Sequence, residues 1–314
     1  MIEHIFTVIT VALAIALTSI GVGVGESLIS IAALKAMNIQ PKAISDINRL
    51  SVLGMALTET SAVLALVISV MLLLAPSSGN YFTSLSNLGI AFALSFSGTT
   101  IGIASAFPAR AACFSAARQP FFVSKILNMM LLTTSFIQTP IIFGFIVAII
   151  INYQAPSSES LADSLRLIAS GISIGLGSIG PTIGLSKFAE SANKGLGFNR
   201  HSYDKLLIFT FLSEALIETP VVFALVTSLL LLAIPAPSIF KGLIFIAAAL
   251  CVGIGNSAPG ISSGETASAA CTQIAINQDV YPVITKTSML AQGFIDSMTI
   301  YCWIISFLLM FFAS

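Results

Sequence analysis

The chain has 314 residues, of which 56% are hydrophobic and only 8% charged, and its mean hydropathy is +1.01. Soluble domains carry about 25% charged residues, so this composition excludes an ordinary soluble domain and indicates a membrane protein. The formal net charge is zero, which argues against a nucleic-acid partner held by charge. The cysteines lie in apolar segments without the spacing of metal ligands, which favours small core residues: Cys113, Cys251, Cys271 and Cys302.

Eight apolar segments follow one another along the chain, and each exceeds the ~20 residues that a membrane helix needs. They lie at 5–34, 47–75, 84–112, 123–152, 163–190, 204–234, 240–272 and 281–312. No basic region precedes the first segment, so we interpret it as a membrane helix rather than a removed signal peptide. Polar connections alternate with linkers rich in proline, serine and glycine, which begin at Pro76, Pro156 and Pro235. The pattern predicts an all-α membrane protein of eight transmembrane helices in four tandem hairpins, at residues 1–76, 77–156, 157–236 and 237–314.

The basic residues indicate an orientation. Only Arg166 and Lys241 lie near the ends of the segments that face the linkers, whereas eleven other lysines and arginines lie in or near the loops inside the hairpins. Loops rich in lysine and arginine stay in the cytoplasm. We therefore expect a multi-pass protein, in a bacterial inner membrane, with cytoplasmic hairpin loops and both termini outside.

The first helix of each hairpin is rich in small residues. Glycines recur at matching places in all four: Gly21, Gly23, Gly25, Gly98, Gly102, Gly171, Gly175, Gly177, Gly253 and Gly255. Small residues one turn apart share a helix face and let backbones approach closely in lipid. Each run alone fits any tight helix pair, but four matching runs predict a closely packed inner layer.

The second helix of each hairpin has a carboxylate or amide in its apolar middle: Glu59, Gln138, Glu218 and Asp296. The intervals between them are nearly constant, and each is close to a quarter of the chain length. A charge near the bilayer centre is costly and is seldom kept without a function, so the repeat predicts a duplicated ion-carrying unit. Desolvation favours the neutral acid, which can release its proton when a cation or an aqueous path approaches. A carboxylate neutralised by a structural partner is the alternative.

Proline follows two of these residues at the second position, as Pro140 and Pro220. Proline cannot donate to the carbonyl four residues earlier, which here belongs to Phe136 or Leu216. A freed carbonyl could accept the proton of a neutral carboxyl or coordinate a cation. A plain helix kink explains the prolines equally well.

These residues resemble a known family, the proteolipid c subunit of rotary ATP synthases. Members of that family are hairpins with a glycine-rich inner helix, a polar Arg-Gln-Pro loop and a mid-membrane Glu or Asp on the outer helix. Hairpin 2 contains Arg118-Gln119-Pro120, and hairpin 1 keeps Gln40-Pro41, whereas hairpins 3 and 4 depart from the loop pattern. The site residue follows Pro41 and Pro120 at the same interval, and Arg200 and Gln278 stand at the matching places of the other hairpins.

The resemblance implies a rotor ring of two helix layers whose carboxylates pass a stator arginine one by one. Glu59, Glu218 and Asp296 are then the ion carriers, and Gln138 is a silent equivalent. It implies a non-catalytic subunit that needs no cofactor. It also implies several partners: further copies in a ring, a stator a subunit with its arginine, membrane lipid, and central-stalk subunits that contact Gln40, Pro41, Arg118, Gln119 and Pro120.

The ion is predicted to be a proton, with sodium as the alternative. Sodium-binding members of the family place a ligand on the inner helix, at a fixed interval before the carboxylate, where this chain has Glu26, Ser105, Leu185 and Ser263. Glu26 with Glu59 resembles a two-carboxylate sodium site, and Ser297 with Tyr301 resembles another sodium pattern. Leu185 offers no oxygen, and dehydrated sodium needs several. The remaining candidate ligands are Thr60, Thr219 and Glu214, and Glu214 could instead line an aqueous access path.

Other functions would explain parts of the pattern. The lost carboxylate of hairpin 2 also resembles vacuolar-type proteolipids. An eight-helix ion-coupled secondary transporter would explain intramembrane carboxylates, but its repeats are commonly inverted or larger than one hairpin. A membrane scaffold would leave the repeated carboxylates unexplained.

Overall fold

The computed structural model describes residues 5–75 and 80–312, which are almost entirely helical. The helices in chain order are α1 (Ile5–Ile39), α2 (Ile44–Leu74), α3 (Tyr81–Ser86), α4 (Leu88–Ala104), α5 (Ala106–Arg118), α6 (Val123–Gln154), α7 (Leu161–Gly177), α8 (Ile179–Phe198), α9 (Tyr203–Ala233), α10 (Ile239–Gly255), α11 (Ser257–Ile276) and α12 (Tyr281–Phe312). The predicted linker at Pro76 begins outside the described residues, whereas Pro156 lies in a short 3₁₀ helix, Ala155–Ser157.

Eight helical stretches of the described chain are long and apolar enough to cross a membrane, which confirms the predicted number. Three of them consist of more than one helix. Asn87 and Ser105 separate α3, α4 and α5, but their backbone stays near the helical region, with φ,ψ of −60°,−22° and −61°,−21°. Ser178 and Asn256 join α7 to α8 and α10 to α11 in the same way. The chain therefore continues in one direction through each break.

The hairpins pack side by side in chain order, in two layers. The first helices (α1, α4–α5, α7–α8 and α10–α11) contact one another in sequence and form what we call the inner layer. The second helices (α2, α6, α9 and α12) likewise contact one another in sequence and form the outer layer. This architecture confirms an all-helical membrane protein of tandem hairpins.

Glycine makes the inner layer close-packed, as predicted. A Cβ atom on Gly25 would overlap the carbonyl oxygen of Gly102 in the next hairpin. Between hairpins 3 and 4, a Cβ on Gly184 would overlap the carbonyl oxygen of Gly260. Since any side chain at these positions would push the backbones apart, glycine determines the spacing of the first helices.

The loops inside the hairpins are short 3₁₀ turns. In hairpins 1 and 2 the turns are Pro41–Ala43 and Pro120–Phe122, where proline supplies the φ angle that the first turn requires. Gln40 and Gln119 precede them, and each backbone carbonyl accepts from the amide three residues later at 3.0 Å. The Arg-Gln-Pro pattern thus forms a compact reversal between the layers.

Pro140 and Pro220 lie inside α6 and α9, and both helices continue through them. The carbonyl of Pro220 accepts a hydrogen bond from the Asn256 side chain at 2.6 Å. The prolines therefore do not end the outer helices. Whether the carbonyls of Phe136 and Leu216 take part in ion binding stays a prediction.

Candidate ion-binding site

Gln138 shows how a site residue is held between hairpins. Its side chain is 8% exposed and points from α6 toward α2 and α5. Nε2 donates to the Leu57 carbonyl at 3.0 Å and to the Ser105 hydroxyl at 2.8 Å. The Thr60 hydroxyl, 2.6 Å from the Leu57 carbonyl, also donates to Oε1 at 2.9 Å. An amide bonded on both its polar atoms stays neutral, so this position holds a polar contact but no exchangeable charge.

The Gln138 contacts define a pattern for the other hairpins. The inner helix of the same hairpin supplies Ser105, at the place where a family ligand was expected. The outer helix of the preceding hairpin supplies the carbonyl of Leu57 and the hydroxyl of Thr60, which lie on either side of Glu59 in the sequence. The site residue of one hairpin is therefore completed by the hairpin before it.

Glu218 occupies the equivalent position between hairpins 2 and 3. It is half-buried, and the Thr139 hydroxyl, which follows Gln138 as Thr60 follows Glu59, is its hydrogen-bond partner. The inner position holds the fully buried Leu185, so hairpin 3 provides no oxygen there. The Thr219 hydroxyl donates to the carbonyl of Ala215 at 3.1 Å. Glu218 thus has a hydroxyl partner and an apolar wall.

Glu214 lies one turn before Glu218 and is 0% exposed. Neither of its carboxyl oxygens has a hydrogen-bond partner among the described residues. Such a group is accommodated at modest cost only as the neutral acid. Its complete burial within the chain argues against the suggestion that it lines an aqueous path.

Asp296 occupies the third position, between hairpins 3 and 4. It is 6% exposed, and its Oδ1 has no hydrogen-bond partner in the described chain. Ser263, the ligand predicted for it on the inner helix, is directed at Gln292 instead, 3.5 Å from its Oε1. Nε2 of Gln292 donates to Ser288 at 3.0 Å and to Ser213 at 3.4 Å. Gln292, one turn before Asp296, was not among the predicted site residues.

Glu59 differs from the others because no hairpin precedes its own. Its side chain and that of Thr60 are exposed at the free edge of hairpin 1, and Glu26 is half-buried on α1. Thr60 is already engaged with Gln138 of the next hairpin. One face of the Glu59 site is therefore open in the single chain.

The opposite free edge belongs to hairpin 4. Phe294 is 75% exposed and Tyr301 58% exposed. The Ser297 hydroxyl donates to the Phe294 carbonyl at 2.6 Å, as Thr60 does to Leu57 in hairpin 1. The structure therefore places Ser297 and Tyr301 on an open surface rather than around Asp296.

The loop residues lie together at the other functional region of the chain. The guanidinium of Arg118 stacks 4.7 Å from the ring centre of Phe198 in the neighbouring hairpin. Phe121, directly after Gln119-Pro120, is 100% exposed. A fully exposed aromatic residue beside an exposed loop is typical of a contact surface.

Sequence reasoning also missed charged pairs on the inner layer. Arg110 pairs with Glu190 at 2.7 Å, and Lys187 pairs with Glu265. Both pairs join neighbouring hairpins. Their spacing of nearly one repeat, 80 and 78 residues, could have indicated them.

The chain is similar to proteins of one family. The family model for the C subunit of ATP synthase matches residues 9–72, 168–231 and 246–309, more than half of the chain. The ATP synthase c subunit of Dehalococcoides mccartyi is 35% identical over 71 residues, 23% of this chain and 93% of that relative. The ATP synthase c subunit of Prochlorococcus marinus is 31% identical over 74 residues, 24% of this chain and 91% of that relative. The three matched ranges contain Glu59, Glu218 and Asp296, whereas Gln138 lies outside them.

Proposed function

Because the chain belongs to the family of the ATP synthase C subunit, we propose that it is a rotor-ring proteolipid of a rotary ATP synthase with four fused hairpins. Glu59, Glu218 and Asp296 carry the ions, and Gln138 is a neutral position that carries none. The chain itself catalyses no reaction at ATP. It transmits ion flow to the catalytic part of the complex.

One observation supports this proposal more than any other. The residues that recur in every hairpin lie at equivalent places between adjacent outer helices, and the first such place is a complete hydrogen-bonded site around Gln138. An acid at the same place can be protonated there and can lose its proton when it faces an aqueous path or a stator arginine. A duplicated unit with two acids and one amide at internal junctions fits stepwise ion carrying.

The free edges indicate how copies associate. Gly102 packs against Gly21 and Val22 of the preceding hairpin. By the register of the site residues, Gly23 is its counterpart in hairpin 1, and no atom lies within 4 Å of a Cβ built there. The counterparts of Gly21, Val22 and Gly25 in hairpin 4 line an open cavity of about 520 Å³: Ala258, Pro259 and Ser262. We propose that α1 of one copy seats in this cavity of another.

This head-to-tail contact is heterologous, so repeated association closes a ring if the rotation per copy permits. It also completes the site of hairpin 1. By the Gln138 pattern, Glu59 would meet the Phe294 carbonyl and the Ser297 hydroxyl of the preceding copy, with Glu26 from its own inner helix. The alternative outcome, isolated eight-helix monomers, would favour an ion-coupled secondary transporter.

Protons are the proposed ion. Every carrier in one ring must bind the same ion, so the site with the fewest oxygens limits the choice. Glu218 has the buried Leu185 at its inner position, where sodium would need a ligand. The junction at Glu59 is richer in oxygens because Glu26, Ser297 and Tyr301 lie near it by register. Sodium is therefore the alternative that the experiment must exclude.

We further propose that the hairpin loops face the cytoplasm of a bacterial inner membrane and contact the central stalk. The exposed Phe121 and the loop residues Gln40, Pro41, Gln119 and Pro120 form that contact, with Arg118 beside them. The stator a subunit, through its arginine, contacts the outer layer at the level of the carboxylates. Each carboxylate in turn would form an ion pair with this arginine.

Carbodiimide labelling tests the carrier assignment. A carbodiimide that attacks protonated buried carboxyls should modify Glu218 or Asp296 and stop ATP-driven ion pumping. Sodium should give no protection if the ion is a proton. Protection by sodium would replace the proton by sodium, and labelling without loss of pumping would remove these residues from the mechanism.

The triple variant E59Q/E218Q/D296N provides a second test. It should assemble normally, because Gln138 shows that an amide is accommodated at such a site, but it should lose ion flux and coupled ATP synthesis. E159Q, a change at an exposed residue beside the Pro156 linker, is the matched control and should behave as the wild type. Intact flux in an assembled triple variant would refute the proposal.

A further inference from the structure

A groove on the inner layer combines an apolar wall with a cluster of charges. It has a volume of about 350 Å³ and lies on the first helices of hairpins 1, 2 and 3. Its charged lining residues are Lys35, Arg110, Glu190 and Lys194. Every lining residue belongs to α1, α5 or α8, so the groove lies on the inner layer, away from the candidate ion sites at the outer helices.

The charges in the groove do not cancel. Glu190 accepts from Arg110 at 2.7 Å and from Lys194 at 2.8 Å. Lys35 is exposed and is a third cation at the same groove. Three cations and one carboxylate leave a formal charge of +2. This excess requires an anion, because uncompensated charges beside a membrane are unfavourable.

The height of the groove identifies the kind of anion. The 35-residue helix α1 is about 52 Å long at ~1.5 Å per residue, against ~30 Å of hydrocarbon, so about 11 Å projects at each end. Lys35 lies one turn, about 6 Å, before the loop end of α1 and therefore within the headgroup layer. Leu28 and Ile31 line the same groove deeper in the membrane.

We propose that this groove binds an anionic phospholipid. The phosphate lies among Lys35, Arg110 and Lys194, and an acyl chain runs along Leu28 and Ile31. The lipid would bridge the inner helices of three hairpins on the face away from the ion carriers. Nothing in ion carrying requires such a group, so the site is a separate feature of the chain.

Tryptophan quenching by brominated lipid tests this site. The chain has a single tryptophan, Trp303 on α12 in the outer layer. In a W303F background, I31W places a reporter in the groove, at a residue that is already 47% exposed. The full-length protein is delipidated in detergent and reconstituted with brominated phosphatidylglycerol or brominated phosphatidylcholine. Bromo-phosphatidylglycerol should quench the reporter at a severalfold lower lipid fraction.

Charge variants make the test specific. K35Q should reduce the preference for the anionic lipid about fivefold, the effect of one basic residue near a charged membrane surface. K286Q is the matched control, because Lys286 is exposed at a similar height on the outer helix α12. It should leave the preference unchanged. Trp303 of the unmodified chain should be quenched equally by both lipids.

The other outcomes would overturn the proposal. Equal quenching by the two lipids, or a preference that K35Q does not alter, excludes an anionic-lipid site. Loss of the preference on addition of inorganic phosphate would assign the groove to a free anion instead. F114W gives a second reporter in the same groove if I31W does not fold. Mass analysis of lipid that co-purifies with wild type and K35Q supplies an independent measurement.

Discussion

Restoring an acid at Gln138 changes how many ions each turn should move. In Q138E one carboxyl oxygen takes the place of Oε1 and accepts from Thr60. The other takes the place of Nε2 and, when protonated, donates to Leu57 or Ser105, which lie 3.0 and 2.8 Å from Nε2 in the wild type. The site thus offers a neutral acid the same partners that it offers the amide. We expect Q138E to fold and to carry a proton.

The size of the effect follows from the number of carriers. Each charge that crosses 100 mV contributes about 2.3 kcal/mol. Three carriers per chain then supply about 7 kcal/mol and four supply about 9 kcal/mol for every chain that passes the stator. In a ring made only of this chain, Q138E should raise the ion-to-ATP ratio by about a third and lower the threshold potential for ATP synthesis by about a quarter, whatever the ring size.

Proteoliposomes measure this threshold directly. ATP synthesis is followed at a fixed ratio of ATP to ADP and phosphate while the imposed potential is lowered to the point of no net synthesis. Q138L is the control, because it removes the amide without adding a carrier and should keep the wild-type threshold. An unchanged threshold in a Q138E ring whose introduced carboxyl is labelled by carbodiimide would refute the stepwise carrier account.

Further predictions concern the helix contacts. Q138L should lower the free energy of unfolding in detergent by about 2 kcal/mol, because three side-chain hydrogen bonds of about 0.6 kcal/mol each are lost, whereas a change near zero would mean that lipid or water replaces them. Gly25→Ala should destabilise the fold by about 1–3 kcal/mol, because its Cβ meets the Gly102 backbone. Gly293→Ala has open space and should be neutral or stabilising by up to about 1 kcal/mol, so equal costs in thermal unfolding would contradict the packing account. Gly23→Leu should leave the unfolding of the single chain unchanged but prevent its association, as native mass spectrometry can show, and normal rings would exclude the proposed seat for α1.

The sequence was sufficient for the architecture because each feature depends on local patterns. Apolar length predicts the eight spans, and the glycine runs predict the close inner layer that Gly25 and Gly184 form. The fixed interval between the inner ligand position and the site residue correctly brought Ser105 to Gln138. That interval links two helices of one hairpin, whose register is set by a short loop.

The details of the sites depend on contacts that a repeat cannot specify. Ser263 lies at the same interval from Asp296, yet it faces Gln292, because a long amide one turn away fills the space between the helices. Glu190 and Glu265 pair with cations of neighbouring hairpins, a choice that depends on side-chain reach across the inner layer. The exposure of Glu59 follows from its place in the first hairpin and not from its local sequence.

The two chain edges give assembly a direct role in the proposed mechanism. Glu218 and Asp296 are covered within one chain, whereas Glu59 is exposed and would face lipid in an isolated copy. A carboxylate that faces hydrocarbon costs several kcal/mol, and docking of hairpin 4 from another copy removes that exposure. The same docking brings the Ser297 hydroxyl, already bonded to the Phe294 carbonyl, to the place that Thr60 occupies beside Gln138. Since the third carrier acquires its partners only from a second copy, closing the ring and completing the set of ion sites are one event.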